Sequence, residues 1–332
     1  MRHSTFAFGL LVALSAGRPL PAAENETYAG YRTTTLEYKA PDGSERKRSV
    51  TLWYPTAAKA ERHSYRPQVG FVAADADVLG RKNPLILFSH GFLGAADQTI
   101  FLTEELARQG YIVAGVNHAD SLRERSDEPQ PRPNFAQPQT WDDTKYRDRR
   151  DDVVALLDHL LALSGEKDSF LFQRVNPQQV GALGHSLGGY TVLGLAGGWK
   201  AWHEPRIKAT VALSPYSLPY VKSGKDNVKA INIPIMFQGG TLDIGVTPFL
   251  PPLYDQLAAP KYLLTLKNEN HFGWTNFASF TKTTTDTVQQ GNPQLITDYT
   301  VAFFDHHLRR LPAAELLTKE NERLEAFKYA AK

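Results

Sequence analysis

The sequence predicts an α/β fold in which helices cover both faces of a mostly parallel central sheet. Short runs made only of apolar residues, such as Leu85 to Phe88, are typical of strands that are buried on both faces. A segment with helical spacing, Gln98 to Gln109, separates that run from the next apolar run, Tyr111 to Val116. Alternation of strands and helices implies parallel pairing and right-handed crossovers, which place helices on both faces.

Length and composition favour a single globular domain over residues 24–332. The chain has 332 residues, of which 42% are hydrophobic and 22% are charged, and its formal net charge is only +2. No basic cluster interleaved with aromatic residues is present to follow a phosphate backbone, so we expect no nucleic-acid partner. The composition leaves the oligomeric state open.

The chain contains no cysteine. This excludes disulfide bonds, metal sites built from thiolates, and a cysteine nucleophile. No motif calls for a metal ion or an organic cofactor, so we expect neither.

The first 23 residues resemble a secretory signal peptide. A basic start, Met1-Arg2-His3, precedes the apolar run Phe6 to Ala16, and Pro21-Ala22-Ala23 supplies small residues for cleavage. The run is too short to span a bilayer, and Arg18-Pro19 would break the alternative, a buried N-terminal helix. We therefore expect a secreted or periplasmic protein with no transmembrane span.

After this leader, Tyr31 to Lys39 and Lys47 to Tyr54 predict an antiparallel hairpin around the turn Pro41-Asp42-Gly43. From Pro55 to Asn83 no period persists, which predicts an excursion across the surface. The later predicted elements are the helices Arg147 to Leu163, Tyr190 to Ala196 and Leu295 to Leu308, and the strands Val180 to Leu183, Ile207 to Leu213, Ile233 to Phe237 and Tyr262 to Leu266.

Residues 119–147 form a long proline-rich segment with mixed charges and no clear period. The segment leaves the carboxyl end of the strand Tyr111 to Val116, where parallel sheets bind their ligands. It is predicted to be a rim or lid over the site, and a surface loop without a role is the alternative.

Gly184-His185-Ser186-Leu187-Gly188 fits the G-x-S-x-G nucleophile elbow between an apolar strand and a helix. The sharp turn exposes the Ser186 hydroxyl, and glycines two residues before and after leave room for it. A glycine-rich turn with a structural serine is the alternative. The pattern predicts Ser186 as a nucleophile.

A serine nucleophile requires a histidine base and an acid that orients it, in the chain order serine, acid, histidine. His271 follows the predicted strand Tyr262 to Leu266, and Asp243 follows the strand Ile233 to Phe237. Glu269 is the alternative acid because it lies close to His271 in sequence. Of the other downstream histidines, His203 is assigned a structural role, and His306 and His307 are expected to be partly exposed cations at the C-terminal end of the last helix.

The negative charge that develops on the substrate requires backbone N–H donors. Leu187 begins the helix after the elbow, and Phe92 follows His90-Gly91 at the end of the strand Leu85 to Phe88. We predict the N–H groups of Phe92 and Leu187 as these donors. His90 and His185 are expected to be structural.

These motifs resemble the α/β-hydrolases of the dienelactone-hydrolase-like group, in the branch close to platelet-activating factor acetylhydrolase. The resemblance runs from Val50 to Pro55 through the motifs above to His271-Phe272 and the closing helix. It implies the α/β-hydrolase fold and places Ser186, Asp243 and His271 in the triad positions. Because dienelactone hydrolases proper use cysteine, which is absent here, dienelactone is not implied as the substrate.

The sequence therefore predicts a secreted serine ester hydrolase, similar to carboxylesterases and lipases, for small-molecule or lipid esters with short to medium acyl or aryl groups. Four aromatic residues in loops after strands are predicted to line its mouth: Tyr216, Phe272, Trp274 and Phe277. An amidase or peptidase with the same triad, and a non-catalytic binding protein on the same fold, remain open alternatives.

Overall fold

The computed structural model describes residues 26–124, 133–222, 226–258, 260–277 and 292–331, and within these ranges eleven strands form one sheet. The predicted signal peptide, residues 1–23, lies outside the described residues. The strands are β1 (Tyr28–Lys39), β2 (Glu45–Thr56), β3 (Glu61–Ser64), β4 (Val69–Ala74), β5 (Asn83–Ser89), β6 (Ile112–Val116), β7 (Val175–His185), β8 (Ile207–Leu213), β9 (Ile235–Gly240), β10 (Lys261–Leu266) and β11 (Leu324–Ala330).

The sheet has the order β11-β10-β9-β8-β7-β5-β6-β2-β1-β4-β3. Each neighbouring pair from β10 to β6 is parallel, which confirms the predicted central sheet. Since the strands of this block run in one direction, the loops that follow them meet at one edge of the sheet.

Helices cover both faces of this sheet, as predicted. They are α1 (Ile100–Arg108), α2 (Arg147–Gly165), α3 (Leu187–Leu193), α4 (Leu218–Lys222), α5 (Leu250–Gln256) and α6 (Asn292–His307). Alternate residues of β5 separate the two cores: Ile86 and Phe88 pack in the cluster that holds α1 and α6. Leu85 and Leu87 pack in the cluster that holds α2. Burial on both faces explains why β5 is an unbroken apolar run.

The opening hairpin is also confirmed. β1 and β2 pair antiparallel, with Thr34 opposite Val50. Gly43 adopts a φ of 88° in the connecting turn, a conformation that glycine reaches without steric cost. The carboxylate of Asp42 accepts a hydrogen bond of 3.0 Å from the backbone N–H of Ser44, which stabilises the same turn.

Two parts of the sheet were not predicted. The segment Pro55 to Asn83, expected to cross the surface, contains β3 and β4, which extend the sheet beyond β1. Gly70 interrupts the pattern of β4 because the side chain of Glu104 occupies the space where a Cβ would stand. At the other end, β11 pairs antiparallel with β10 after the last helix.

Candidate active site

Ser186 occupies the turn between β7 and α3. Its φ of 53° and ψ of −116° are strained for a residue with a side chain, as an elbow requires. The flanking glycines are required sterically. A Cβ on Gly184 would overlap the carbonyl oxygen of Gly188, and a Cβ on Gly188 would overlap that of Ser89. The helix of the elbow therefore packs directly against the end of β5.

His271 lies in the loop after β10, and its ring reaches Ser186. The Nε2 atom of His271 is 2.8 Å from Oγ of Ser186, and its Nδ1 atom is 2.8 Å from Oδ2 of Asp243. Asp243 lies in the turn after β9 and is only 5% exposed, whereas 29% of the His271 side chain is exposed. The structure thus brings the three residues into one hydrogen-bonded chain.

Ser214, which the sequence analysis did not single out, completes the environment of Asp243. Its hydroxyl is fully buried, donates a hydrogen bond to Oδ2 of Asp243, and lies 3.2 Å from Nδ1 of His271. Ser214 directly follows β8, the strand between the elbow strand and the acid strand. The sequence does carry a signal for Ser214, because it is a polar residue that directly follows an apolar strand.

Glu269, the alternative acid, has other partners. Its carboxylate accepts hydrogen bonds from the backbone N–H of Asn270, at 3.2 Å, and from the side-chain amide of Asn292, at 2.6 Å. Its backbone carbonyl accepts the N–H of Leu242 at 2.9 Å. These contacts tie the loop that carries His271 to the loop that carries Asp243.

The two predicted oxyanion donors lie on neighbouring loops. Leu187 is the first residue of α3, and Phe92 follows the end of β5. A Cβ placed on Gly91 would be 3.4 Å from Cβ of Ser186, so the Phe92 loop adjoins the elbow. Within the described residues, neither the N–H of Phe92 nor that of Leu187 has a hydrogen-bond acceptor. Both N–H groups therefore remain available for the role predicted for them.

His185 has the structural role expected of it. Burial, with a contribution from the nearby His271, lowers the pKa of His185 to about 3, so the ring is neutral at pH 7. Nε2 donates a hydrogen bond of 2.8 Å to the backbone carbonyl of His271, and Nδ1 accepts one of 3.1 Å from the side-chain amide of Gln98. His185 therefore stabilises the loop that carries His271 through a hydrogen bond to its backbone.

One of the helix-terminal histidines differs from the expectation. His307 is half-buried at the end of α6, in line with the expected partial exposure, but burial lowers its pKa to about 4, so it is not the expected cation. The neutral ring packs against Phe303 and Tyr262, which belong to the core.

A cavity of about 540 Å³ lies over Ser186 and His271. The predicted lining residues Tyr216, Phe272 and Phe277 do border it. Trp274 does not: its side chain is fully buried, and its indole N–H donates to Oε1 of Gln238 at 3.1 Å. The loop after β10 turns Trp274 into the core, and nothing in the sequence distinguishes it from its aromatic neighbours.

Apolar residues that the sequence analysis missed complete the mouth. They are Leu93, Leu122, Phe135 and Val246. Phe135 belongs to the long segment 119–147, of which residues 125–132 lie outside the described part. Its ring contacts those of Phe92 and Tyr216 at centroid distances of 5.9 and 4.8 Å. Its carbonyl accepts a hydrogen bond of 2.9 Å from the hydroxyl of Tyr216, so this portion of the segment borders the cavity.

The described side chains form no cluster of three or more histidine, aspartate and glutamate residues that could hold a metal ion. Among the described helices, none has both the length and the apolar character needed to cross a bilayer.

The mostly parallel sheet, with its strained serine elbow and facing histidine loop, defines an α/β-hydrolase. The model of the PET hydrolase-like family matches residues 76–289, which is more than half of the chain. The chain belongs to this family and is a carboxylic ester hydrolase. The narrower resemblance to dienelactone hydrolases and platelet-activating factor acetylhydrolase is not confirmed.

Among solved structures, the chain is similar in fold to a ferulic acid esterase from Streptomyces cinnamoneus. The two share 20% sequence identity with a TM-score of 0.65, and the match covers 92% of this chain and 96% of the esterase. No curated protein matches the chain.

Proposed function

We propose that this carboxylic ester hydrolase is a serine esterase that works through an acyl-enzyme, with Ser186 as the nucleophile. The observation that carries the proposal is the continuous hydrogen-bonded chain from Ser186 Oγ through the His271 ring to Asp243, with both links at 2.8 Å. A serine hydroxyl is a poor nucleophile until such a base removes its proton.

In this mechanism Nε2 of His271 takes the hydroxyl proton as Ser186 Oγ bonds to the carbonyl carbon of the ester. The carbonyl π electrons move onto oxygen, and the N–H groups of Phe92 and Leu187 stabilise that negative charge. When the carbonyl re-forms, the bond to the alcohol oxygen breaks, and His271 gives its proton to the departing alcohol. Water, activated by His271, then hydrolyses the acyl-enzyme.

Asp243 has two functions in this scheme. Its carboxylate can only accept from Nδ1 of His271, so Nδ1 carries the proton and the lone pair of Nε2 faces Ser186. Its negative charge also stabilises the imidazolium that forms during attack. The hydroxyl of Ser214 holds the shared oxygen of Asp243 in place.

We infer a preference for esters with short to medium acyl or aryl groups. The cavity is lined mainly by apolar and aromatic side chains, and Phe92, Phe135 and Tyr216 meet edge to face on one side of it. The name of the family adds aromatic polyesters to the candidate substrates, and the structural neighbour, a ferulic acid esterase, adds esters of an aromatic acid. We further propose export, because residues 1–23 have the signal-peptide pattern.

A series of p-nitrophenyl esters from acetyl to dodecanoyl, assayed beside matched p-nitroanilides, tests this function. We expect turnover of the esters, with a maximum at short to medium chains, and little or no release of p-nitroaniline. Faster cleavage of the anilides would favour the amidase alternative. A folded protein that hydrolyses no ester and takes up no fluorophosphonate probe would favour a binding role.

A further inference from the structure

The peptide unit that joins Gly91 to Phe92 carries one of the two proposed oxyanion donors. In a trans peptide the C=O and N–H groups point in opposite directions, so fixing the carbonyl also fixes the N–H. The carbonyl oxygen of Gly91 lies 2.7 Å from Nδ1 of His90 and accepts a hydrogen bond of 3.2 Å from Nη2 of Arg149. The backbone N–H of Gly94 donates to the same oxygen at 3.0 Å. Two side chains and one backbone N–H therefore hold the side of this peptide that faces away from the N–H of Phe92.

The hydrogen bonds of His90 define its tautomer. The backbone N–H of His118 donates to Nε2 of His90 at 3.0 Å, so Nε2 carries no proton. The ring is completely buried, and burial together with the positive charge of Arg149 holds the pKa of His90 well below its usual value. The neutral ring must then carry its proton on Nδ1, which donates it to the carbonyl of Gly91.

Arg149 is fully buried and is held in place by Asp120. Its Nε and Nη2 atoms donate to the two carboxylate oxygens of Asp120 at 3.1 and 2.7 Å. Nη1 donates to the carbonyl of His90 at 2.7 Å, and Asp120 accepts the N–H of Leu93 at 3.3 Å. The ion pair of Arg149 and Asp120 is thus hydrogen-bonded to the backbone on both sides of Phe92, at the carbonyl of His90 and at the N–H of Leu93.

The opposite side of this loop is tied to the catalytic histidine. The N–H of Gly91 donates to Oε1 of Gln98 at 3.3 Å, and Gln98 donates in turn to His185. His185 donates to the carbonyl of His271. The loop that carries the N–H of Phe92 is therefore held on both sides.

We propose that His90 and Arg149 are positioning residues that orient the Gly91–Phe92 peptide and strengthen its N–H as a donor to the substrate oxyanion. The inference rests on the proposed acyl-enzyme mechanism of Ser186. Donors on a carbonyl, one of them cationic, polarise the whole peptide unit and make its N–H a better donor. Charge develops on the substrate oxygen only in the transition state, so the effect falls on kcat rather than on KM.

Two substitutions of His90 separate its two hydrogen bonds. In His90→Asn the amide nitrogen takes the place of Nδ1 and can still donate to the Gly91 carbonyl. In His90→Gln the amide reaches the place of Nε2, where it can accept from His118, but the donor to Gly91 is lost. Both variants replace the neutral ring with a neutral amide and differ by one methylene, and the smaller side chain is the one expected to keep its activity, so a void alone would give the opposite order.

We expect His90→Gln to lower kcat for p-nitrophenyl acetate about tenfold or more, since removal of an oxyanion donor typically costs about a hundredfold, and to leave KM within about twofold. Affinity for an aryl trifluoromethyl ketone, which Ser186 would convert into a tetrahedral oxyanion, should fall by the same factor. His90→Asn should retain kcat and ketone affinity within about threefold of the wild type.

Arg149→Lys provides an independent test, because lysine keeps the charge beside Asp120 but cannot contact both carbonyls at once. Arg150→Lys, one residue along α2 with its side chain on Asp151, is the matched control. We expect the Arg149 variant to lose kcat and ketone affinity together, and the Arg150 variant to keep both. If Arg149→Lys does not fold, as its thermal midpoint would reveal, the His90 pair decides alone.

Two failures are distinguishable. If Ser186→Ala abolishes activity but His90→Gln keeps the wild-type kcat and ketone affinity, or changes only KM, the positioning role is wrong and the proposed function stands. If Ser186→Ala remains active, the proposed function itself fails.

Discussion

Oδ2 of Asp243 lies 2.8 Å from Nδ1 of His271, although 28 residues separate the two in the chain. Parallel pairing of β9 with β10 explains the distance, since the loops that follow these neighbouring strands leave the sheet at the same edge. The same geometry leaves Glu269 bonded to Asn270 and Asn292, and it therefore favours Asp243 as the acid.

Asp243→Asn should accordingly lower kcat for p-nitrophenyl acetate by about 10³-fold or more, because the amide would favour the wrong tautomer of His271. Glu269→Gln, the matched carboxylate-to-amide change, should alter kcat by less than about tenfold. Steady-state kinetics on both variants give the answer. The reverse order of effects would move the acid to Glu269.

Gly188→Ala should destabilise the protein by about 3 kcal/mol, the upper end for overpacking, because the added Cβ would overlap the carbonyl oxygen of Ser89. Gly165→Ala is the control, since a Cβ at the end of α2 meets no atom within 4 Å. We expect its free energy of unfolding to be unchanged or about 0.5 kcal/mol higher. Urea denaturation compares the two, and equal stability of the variants would contradict the tight elbow.

Phe135→Ala should change substrate choice along the ester series. Removing the ring deletes its contacts with Phe92 and Tyr216 but leaves the backbone carbonyl that Tyr216 uses. We expect kcat/KM for the octanoyl ester to fall about fivefold relative to the acetyl ester, which is the scale of one aromatic contact. Phe71→Ala, at an exposed position on β4, is the control. Identical chain-length profiles would exclude a role for this part of segment 119–147.

Stability should depend on pH through His185. Its pKa is about 3 in the folded protein, against 6.5 for an ordinary histidine, so between these values the unfolded chain binds a proton that the folded protein does not. The contribution of the neutral His185 ring to the free energy of unfolding is therefore complete above pH 6.5 and is lost as the pH falls toward 3. Burial raises the pKa of Asp148 and Asp152 to about 6, and these two groups act in the opposite direction.

Because the effects of His185, Asp148 and Asp152 overlap in pH in the wild type, the test compares the wild type with a variant that lacks His185. Between about pH 6 and 4, the free energy of unfolding of His185→Gln should fall by about 1.4 kcal/mol less per pH unit than that of the wild type. Urea unfolding at several pH values in this window measures both slopes. Parallel curves would show that His185 takes up its proton equally in both states.

The central sheet was predictable because burial on both faces leaves an unmistakable pattern. Runs such as Leu85 to Phe88 have no polar position, and the glycines around Ser186 are required by the contacts of the elbow. The edge strands carry a weaker pattern. In β4, residue 70 must be glycine because the side chain of Glu104, on a helix distant in sequence, occupies the space of a Cβ. The pattern of neighbouring residues cannot indicate such a contact.

Within the site, residues that directly follow strand ends could be placed from the sequence, while side-chain direction inside loops could not. Phe272, Trp274 and Phe277 look alike in the sequence, yet Trp274 turns inward to Gln238. Ser214 contacts Asp243 only because β8 separates β7 from β9 in the sheet. Phe135 lies in a segment with no period, so its place at the mouth depends on tertiary contacts.

The rate at which Ser186→Ala hydrolyses p-nitrophenyl acetate is the decisive test of Ser186 as the nucleophile. We expect a loss of about 10⁴-fold or more in kcat, the scale on which a triad contributes, with a thermal midpoint close to that of the wild type and no labelling by a fluorophosphonate probe. A folded variant that keeps its rate within about tenfold of the wild type would contradict the assignment of Ser186 as the nucleophile.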